Sequence, residues 1–137
     1  MKYQIKAIIF DLDGVLVETK DLHFDALNKA IEKYDSNFTI SYSSHLSTFD
    51  GLSTKEKLRI LVEKGLDENL VNHISDLKQI ITNDLLNKKI KRDESLIQLF
   101  EILKQKGFLI AVATNSVKKS LLQILSRLEL EEFIDFC

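Results

Sequence analysis

Asp11 and Asp13 stand two residues apart where an apolar run, Ala7 to Phe10, comes to an end, and Gly14 follows them. Two carboxylates at this spacing can divide a reaction, one attacking an electrophile while the other moves a proton. Side chains of an extended chain alternate faces, so the two acids can point the same way just past a strand end. Gly14 lets the chain turn sharply there without a Cβ clash. A second constellation, Thr114-Asn115-Ser116, ends another continuous apolar run, Phe108 to Ala113. A hydroxyl with several backbone N–H groups, at the start of a helix, suits phosphate or another anion. Each pattern also has a plainer reading. Asp-x-Asp-Gly alone fits a solvated turn, and Thr114-Asn115-Ser116 alone fits a capping segment with Ser116 as the cap. The fully apolar approach to Asp11 and the renewed apolar run Val15-Leu16-Val17 weigh toward a site, because a surface hairpin alternates polar and apolar residues.

The elements that must position these groups follow from periodicity. Residues 4–10 and 108–113 each contain a short apolar run with β-branched residues and predict buried strands. Helical spacing places Leu27, Ala30, Ile31 and Tyr34 on one face of a helix over 21–34. Residues 35–53 are polar and aperiodic and predict a loop with one short turn. Ser53-x-x-Glu56 is a capping-box pattern opening a helix that stops at Gly65. Asp67 can cap the next, in which Leu70, Val71, Ile74, Leu77, Ile81 and Leu85 recur. Its basic tail, Asn87 to Arg92, suits a helix C-terminus or, alternatively, a phosphate-binding patch. Asp93 or Ser95 opens a further helix, with Leu96, Leu99, Phe100 and Leu103 on one face and Gly107 closing it. After Thr114, a helix turns Val117, Leu121, Leu125 and Leu128 inward, and residues 133–137 look like the start of a third strand.

Buried strands alternating with helices predict an α/β fold with a parallel sheet and crossover connections. The first crossover is too long for one helix. The expected organisation is therefore a Rossmann-like core from 1–17 and 93–137, incomplete at its C-terminus, carrying an inserted α-helical cap over 18–92. In such sheets ligands sit beyond the carboxyl ends of the strands, where Asp11, Asp13 and Thr114 fall.

Composition narrows the function classes. At 137 residues, 45% apolar and 29% charged, the chain has the profile of one ordinary globular domain. A net charge of −2 gives no electrostatic reason to expect nucleic acid or an anionic membrane as partner. No apolar run approaches the ~20 residues of a membrane span, and the N-terminus shows no signal-peptide pattern. The single cysteine, Cys137, cannot form an internal disulfide, and a reducing, cytoplasmic setting is expected. Proline is absent, where average usage would give about seven.

Phe10-Asp11-Leu12-Asp13-Gly14-Val15-Leu16 resembles the first motif of the haloacid dehalogenase-like phosphatases and phosphomutases, and the strand ending at Thr114 resembles their second. The insertion is similar to the helical cap of the β-phosphoglucomutase and phosphoglycolate phosphatase-like branch, in which His23 and the turn Gly51-Leu52-Ser53 have counterparts. The resemblance covers essentially the whole chain. It implies Asp11 as the nucleophile that forms an aspartyl-phosphate, and Asp13 as general acid and then base. It implies Mg²⁺ on the Asp11 carboxylate and the Asp13 backbone carbonyl. Thr114, Asn115, Ser116 and the Leu12 backbone would hold the phosphoryl oxygens. The cap residues His23, Phe49, Gly51, Thr54 and Lys55 would face a small phosphorylated metabolite such as a sugar phosphate. Asp13 argues against haloacid dehalogenation, a branch without need of a proton donor at this position.

The chain departs from the pattern in lacking the family's later lysine, usually followed by proline, and the acidic motif that completes the metal site. Lys118 and Lys119 lie on the wrong segment to replace that lysine, and Glu18 stands where aspartate is commoner. The expectation is thus either the N-terminal part of a longer enzyme or a shortened, impaired product. Phosphatase and phosphomutase both stay open, as does a non-catalytic module that keeps only the fold. A phospho-acceptor receiver domain shares strand-end aspartates and a hydroxyl but needs no long helical insertion between its first two strands.

Overall fold

The computed structural model describes residues 4–137; residues 1–3 of the expected first core segment lie outside the described residues. Two strands form the sheet, β1 (Ala7–Asp11) and β2 (Leu109–Ala113). They pair in parallel with Ala7 opposite Leu109 and Asp11 opposite Ala113. β1 starts three residues later than the apolar run suggested and extends one further, so Asp11 itself closes the ladder. Phe136 makes an isolated parallel bridge to Ala111, on the expected third segment, after a single 3-10 turn over Glu131–Phe133.

The chain forms two compact units. The first takes the chain up to Lys20 and from Leu86 onward. Besides the sheet it holds α5 (Glu94–Gln105) and α6 (Lys118–Leu128). Asp93 caps α5 by accepting from the N–H groups of Ser95 and Leu96. On one face of the sheet Ile110 and Val112 are buried, and the Phe10 ring stacks on buried Phe100 with centroids 5.0 Å apart. On the other face Ile9 and Leu109 are 70% and 45% exposed. The inward residues of α5 are Ile97 and Phe100, whereas Leu99 is turned outward. Asp135 ties the last segment down: it accepts from the Lys104 ammonium at 2.7 Å and from the Ile110 N–H at 2.7 Å. Those bonds, the ammonium first, hold its carboxyl below the usual range. The basic tail 87–92 runs through the end of the helix Val71–Lys89, as a helix C-terminus, and of the alternative phosphate patch Asn87 and Arg92 are engaged by the protein's own groups. The Arg92 guanidinium meets the carboxylates of Glu94 and Glu129, and the Asn87 amide oxygen accepts from Gln123 and Arg127.

The second unit, Asp21–Leu85, is helical. It contains nearly all of α1 (Lys20–Tyr34), a single turn α2 (Tyr42–Ser44), α3 (Thr54–Glu63) and most of α4 (Val71–Lys89). Leu27, Ile31, Phe49, Leu58, Leu61 and Ile74 meet in its core. The capping box at Ser53 and Glu56 is formed in both directions. Asp67 caps a 3-10 turn, Glu68–Leu70, that leads into α4 rather than capping α4 directly.

The segment expected to be a loop with one short turn is more ordered than that. It carries a 3-10 turn at Ser36–Phe38, then α2, then a π-helical turn over His45–Phe49. Two long-range devices hold it, neither periodic in sequence. The Asn28 amide pairs with both backbone groups of Ile40, donating to its carbonyl and accepting from its N–H, each at 2.8 Å. The buried His45 ring stacks on Phe24 with centroids 4.5 Å apart. No helix among the described residues is long and apolar enough to cross a membrane.

Candidate active site

The register brings the chemistry together. Because Asp11 pairs with Ala113, the segments that follow, Leu12–Gly14 and Thr114–Ser116, leave the sheet side by side. The chain after β1 coils at once. The Leu12 carbonyl accepts from the N–H groups of Leu16 and Val17 at 3.0 and 3.1 Å, and Gly14 N–H donates to the Val17 carbonyl at 2.7 Å. Gly14 has φ +83°, a conformation that an L side chain adopts only under strain. The buried Leu12 side chain anchors this coil, with Asp11 exposed on one side of it and Asp13 half-buried on the other.

The two acids have different surroundings. Asp11 accepts from the Leu12 N–H at Oδ1, 2.8 Å away, and no other described group bonds its carboxylate. The Leu12 N–H, expected to hold a phosphoryl oxygen, is bonded to Asp11 instead. Asp13 is held by three hydroxyls. Thr19, wholly buried, donates to its Oδ1, while Ser116 and Thr114 both donate to its Oδ2 at 2.8 and 3.2 Å.

Thr114 also accepts from the Ser116 N–H at 3.0 Å, and Asn115 between them is exposed. Ser116 is not the cap of α6. The capping position is Val117, which makes no side-chain capping bond and is 54% exposed rather than inward. Ser116 lies one residue before the capping position, and its hydroxyl donates to Asp13. Thr19 is the residue that sequence reasoning missed. Its only signal is a lone threonine after Glu18, with no pattern to show that it folds back onto Asp13.

The expected cap residues lie in the second unit. His23 and Thr54 are half-buried there, and Gly51 and Lys55 are exposed. Phe49 is 2% exposed and fills the helical core, so it is a packing residue and not a substrate contact.

The donor set allows a test for Mg²⁺. The available atoms are hard oxygens: the accessible Asp11 carboxylate and the Asp13 backbone carbonyl, the Asp13 side chain being committed to hydroxyls. Among the described residues no three or more His, Cys, Asp or Glu gather into a cage. Oxygen donors of this kind, one or two carboxylates completed by water and substrate phosphate, are what Mg²⁺ takes.

The haloacid dehalogenase-like hydrolase family model matches residues 8–137. The chain belongs to that family. Within the family it is 30% identical over 135 residues to a phosphorylated carbohydrates phosphatase of Thermotoga maritima, covering 96% of this chain and 59% of the relative. It is 36% identical over 69 residues to the β-phosphoglucomutase of Bacillus subtilis, covering 50% of this chain and 29% of that protein. The solved structure of CbbY from Rhodobacter sphaeroides in complex with phosphate superposes with a TM-score of 0.81 at 21% identity, over 97% of this chain and 62% of the other. That likeness shows the haloacid dehalogenase-like fold. The chain thus spans about three-fifths of the Thermotoga relative's length.

Proposed function

We propose that the protein carrying this chain is a Mg²⁺-dependent phosphatase that cleaves a small phosphorylated carbohydrate through an aspartyl-phosphate. The observation that carries this reading is the unequal pair of acids: Asp11 accessible at the end of β1, and Asp13 beside it within reach of the Thr114 and Ser116 hydroxyls. An Asp11 oxygen forms a bond to phosphorus as the bond from phosphorus to the leaving oxygen breaks, and Asp13, protonated in the substrate complex, gives that oxygen its proton. Water then attacks phosphorus, Asp13 takes its proton, and the Asp11–phosphorus bond breaks, returning both acids to their starting state. Thr114, Ser116 and nearby backbone N–H groups orient the phosphoryl oxygens and stabilise charge on them. Mg²⁺, when bound by Asp11 and the Asp13 carbonyl, neutralises phosphate charge so that one anion can approach another.

Support for the carbohydrate class comes from the Thermotoga relative, whose name gives phosphorylated carbohydrates as its substrates. We assign substrate selection to the second unit through His23, Gly51, Thr54 and Lys55, and a reducing cytoplasm as the setting in keeping with exposed, unpaired Cys137. The match to a β-phosphoglucomutase favours a second reading, in which the aspartyl-phosphate passes to a sugar hydroxyl instead of water.

Release of nitrophenol from p-nitrophenyl phosphate with Mg²⁺, abolished by Asp11→Asn, is the expected result for either reading. Activity that survives Asp11→Asn rejects the nucleophile. Conversion of β-glucose 1-phosphate to its 6-phosphate faster than release of inorganic phosphate selects the mutase.

A further inference from the structure

We propose that Asp13 occupies, from within, the hydroxyl pair that a phosphate group needs, and that buried Thr19 sets how firmly it does so. The inference rests on the phosphoryl-transfer reading above and adds a competition within the same site. The hydroxyls of Ser116 and Thr114 both donate to one oxygen, Asp13 Oδ2, at 2.8 and 3.2 Å. A hydroxyl has one proton to donate, so neither can serve Asp13 and a phosphoryl oxygen together. The Ser116 N–H is also committed, to Thr114 Oγ1 at 3.0 Å. The carboxylate thus stands in for a phosphoryl group, having the same sign of charge and the same acceptor chemistry.

The other Asp13 oxygen is anchored away from this pair. Thr19 donates to Oδ1 from a fully buried position beyond the coil that follows β1, so it lies outside the two strand-end segments. Phosphate arriving at Thr114 and Ser116 has to displace Oδ2, and because the carboxylate is rigid it cannot turn away from that pair without also breaking the bond from Thr19 to Oδ1. Thr19 is therefore a positioning residue: it touches no phosphate, yet its hydroxyl stabilises the arrangement that phosphate must break. The competition also links two events of the proposed reaction, since the carboxylate displaced on binding is the group that has to take up a proton before it can give one to the leaving oxygen.

The test is binding of inorganic phosphate to the 137-residue chain in Mg²⁺ buffer, followed by ³¹P NMR. Thr19→Val keeps the shape and the net charge but removes the hydroxyl. It is expected to bind phosphate about fivefold tighter, since one hydrogen bond to a charged group is worth at least that factor. Thr19→Ser, which keeps the hydroxyl, is expected to bind as the unmodified chain does. In the unmodified chain the Thr19 methyl resonance should shift in step with that of Thr114 as phosphate is added, a readout independent of how the variants fold. Equal or weaker binding by folded Thr19→Val, or a stationary Thr19 resonance while Thr114 moves, overturns the competition alone. If even Asp13→Ala binds no phosphate, the phosphate seat itself is rejected, and the competition with it.

Discussion

The helical unit gathers Leu27, Ile31, Leu58 and Ile74 into one buried core, whereas the sheet unit leaves one face of its two strands exposed. In the first case Ile31, Leu58 and Ile74 are each at most 1% exposed, and the most irregular stretch, 35–53, is still pinned by Asn28 and by the Phe24–His45 stack. In the second, Phe10 and Phe100 pack beneath the sheet while Ile9 on the opposite face is 70% exposed. The sheet unit spends its polar order elsewhere, on the hydroxyl cluster around Asp13. On the proposed function, stability and chemistry reside in different residues here. The helical core is filled by side chains such as Leu58 and Ile74, and on the same reading the strand ends hold polar groups that serve the reaction.

Substitutions can break that contrast in either direction. The largest expected effect is Asp11→Asn, which lowers phosphate-ester hydrolysis by on the order of a thousandfold or more. Because Asp11 is exposed and, among the described residues, bonds only its neighbour's N–H, the variant should keep the parent's thermal midpoint within about two degrees, the effect of a surface substitution. A large fall in stability would merge the two roles that the contrast separates.

Leu58→Ala, in the helical core, is expected to do the reverse. A buried leucine truncated to alanine costs about 2–5 kcal/mol, seen in urea unfolding. Phe100→Ala should cost about 3–5 kcal/mol in the sheet unit; a much smaller loss would mean that the open side of that unit lets the vacancy collapse.

Ser53→Ala removes a reciprocal capping box and should cost about 1 kcal/mol. The companion Glu56 is held below the usual carboxylate range, first by the Ser53 hydroxyl and then by its backbone N–H. The variant should therefore titrate Glu56 at higher pH, readable by NMR.

The smallest effect concerns Asp135. Its folded carboxyl is lowered by Lys104 and by the Ile110 N–H. A depressed carboxylate contributes stability above its unfolded pKa of about 3.9, and that contribution is lost as pH falls through the lower folded value. Lys104→Met should reduce stability slightly at neutral pH, and the two unfolding curves should converge in acid. A difference that persists at low pH would mean that the lysine acts through packing.

Much of this organisation was legible in the chain. Ala7–Phe10 and Phe108–Ala113 announce strands because an uninterrupted apolar run of that length has few other places to go. Ser53, Glu56 and Asp93 announce helix starts because a cap is a bond between near neighbours. The α5 face was read correctly at Phe100 but with Leu99 in place of Ile97, because apolar residues outnumber the positions that the core can take. The order in 35–53 was not legible, since Asn28 reaches twelve residues ahead to hold Ile40.

The amino-acid sequence by itself determined that two acids would close the first strand and a hydroxyl cluster would follow the second. Strand formation and side-chain alternation are local properties, read from adjacent residues. Only the tertiary structure decided that the acids would be unequal. The parallel register set Thr114 and Ser116 beside Asp13, more than a hundred residues away in the chain, and a buried threonine came to hold its other oxygen. A carboxylate's partners depend on what folding brings within about 3 Å of it, and no periodicity along the chain encodes that distance.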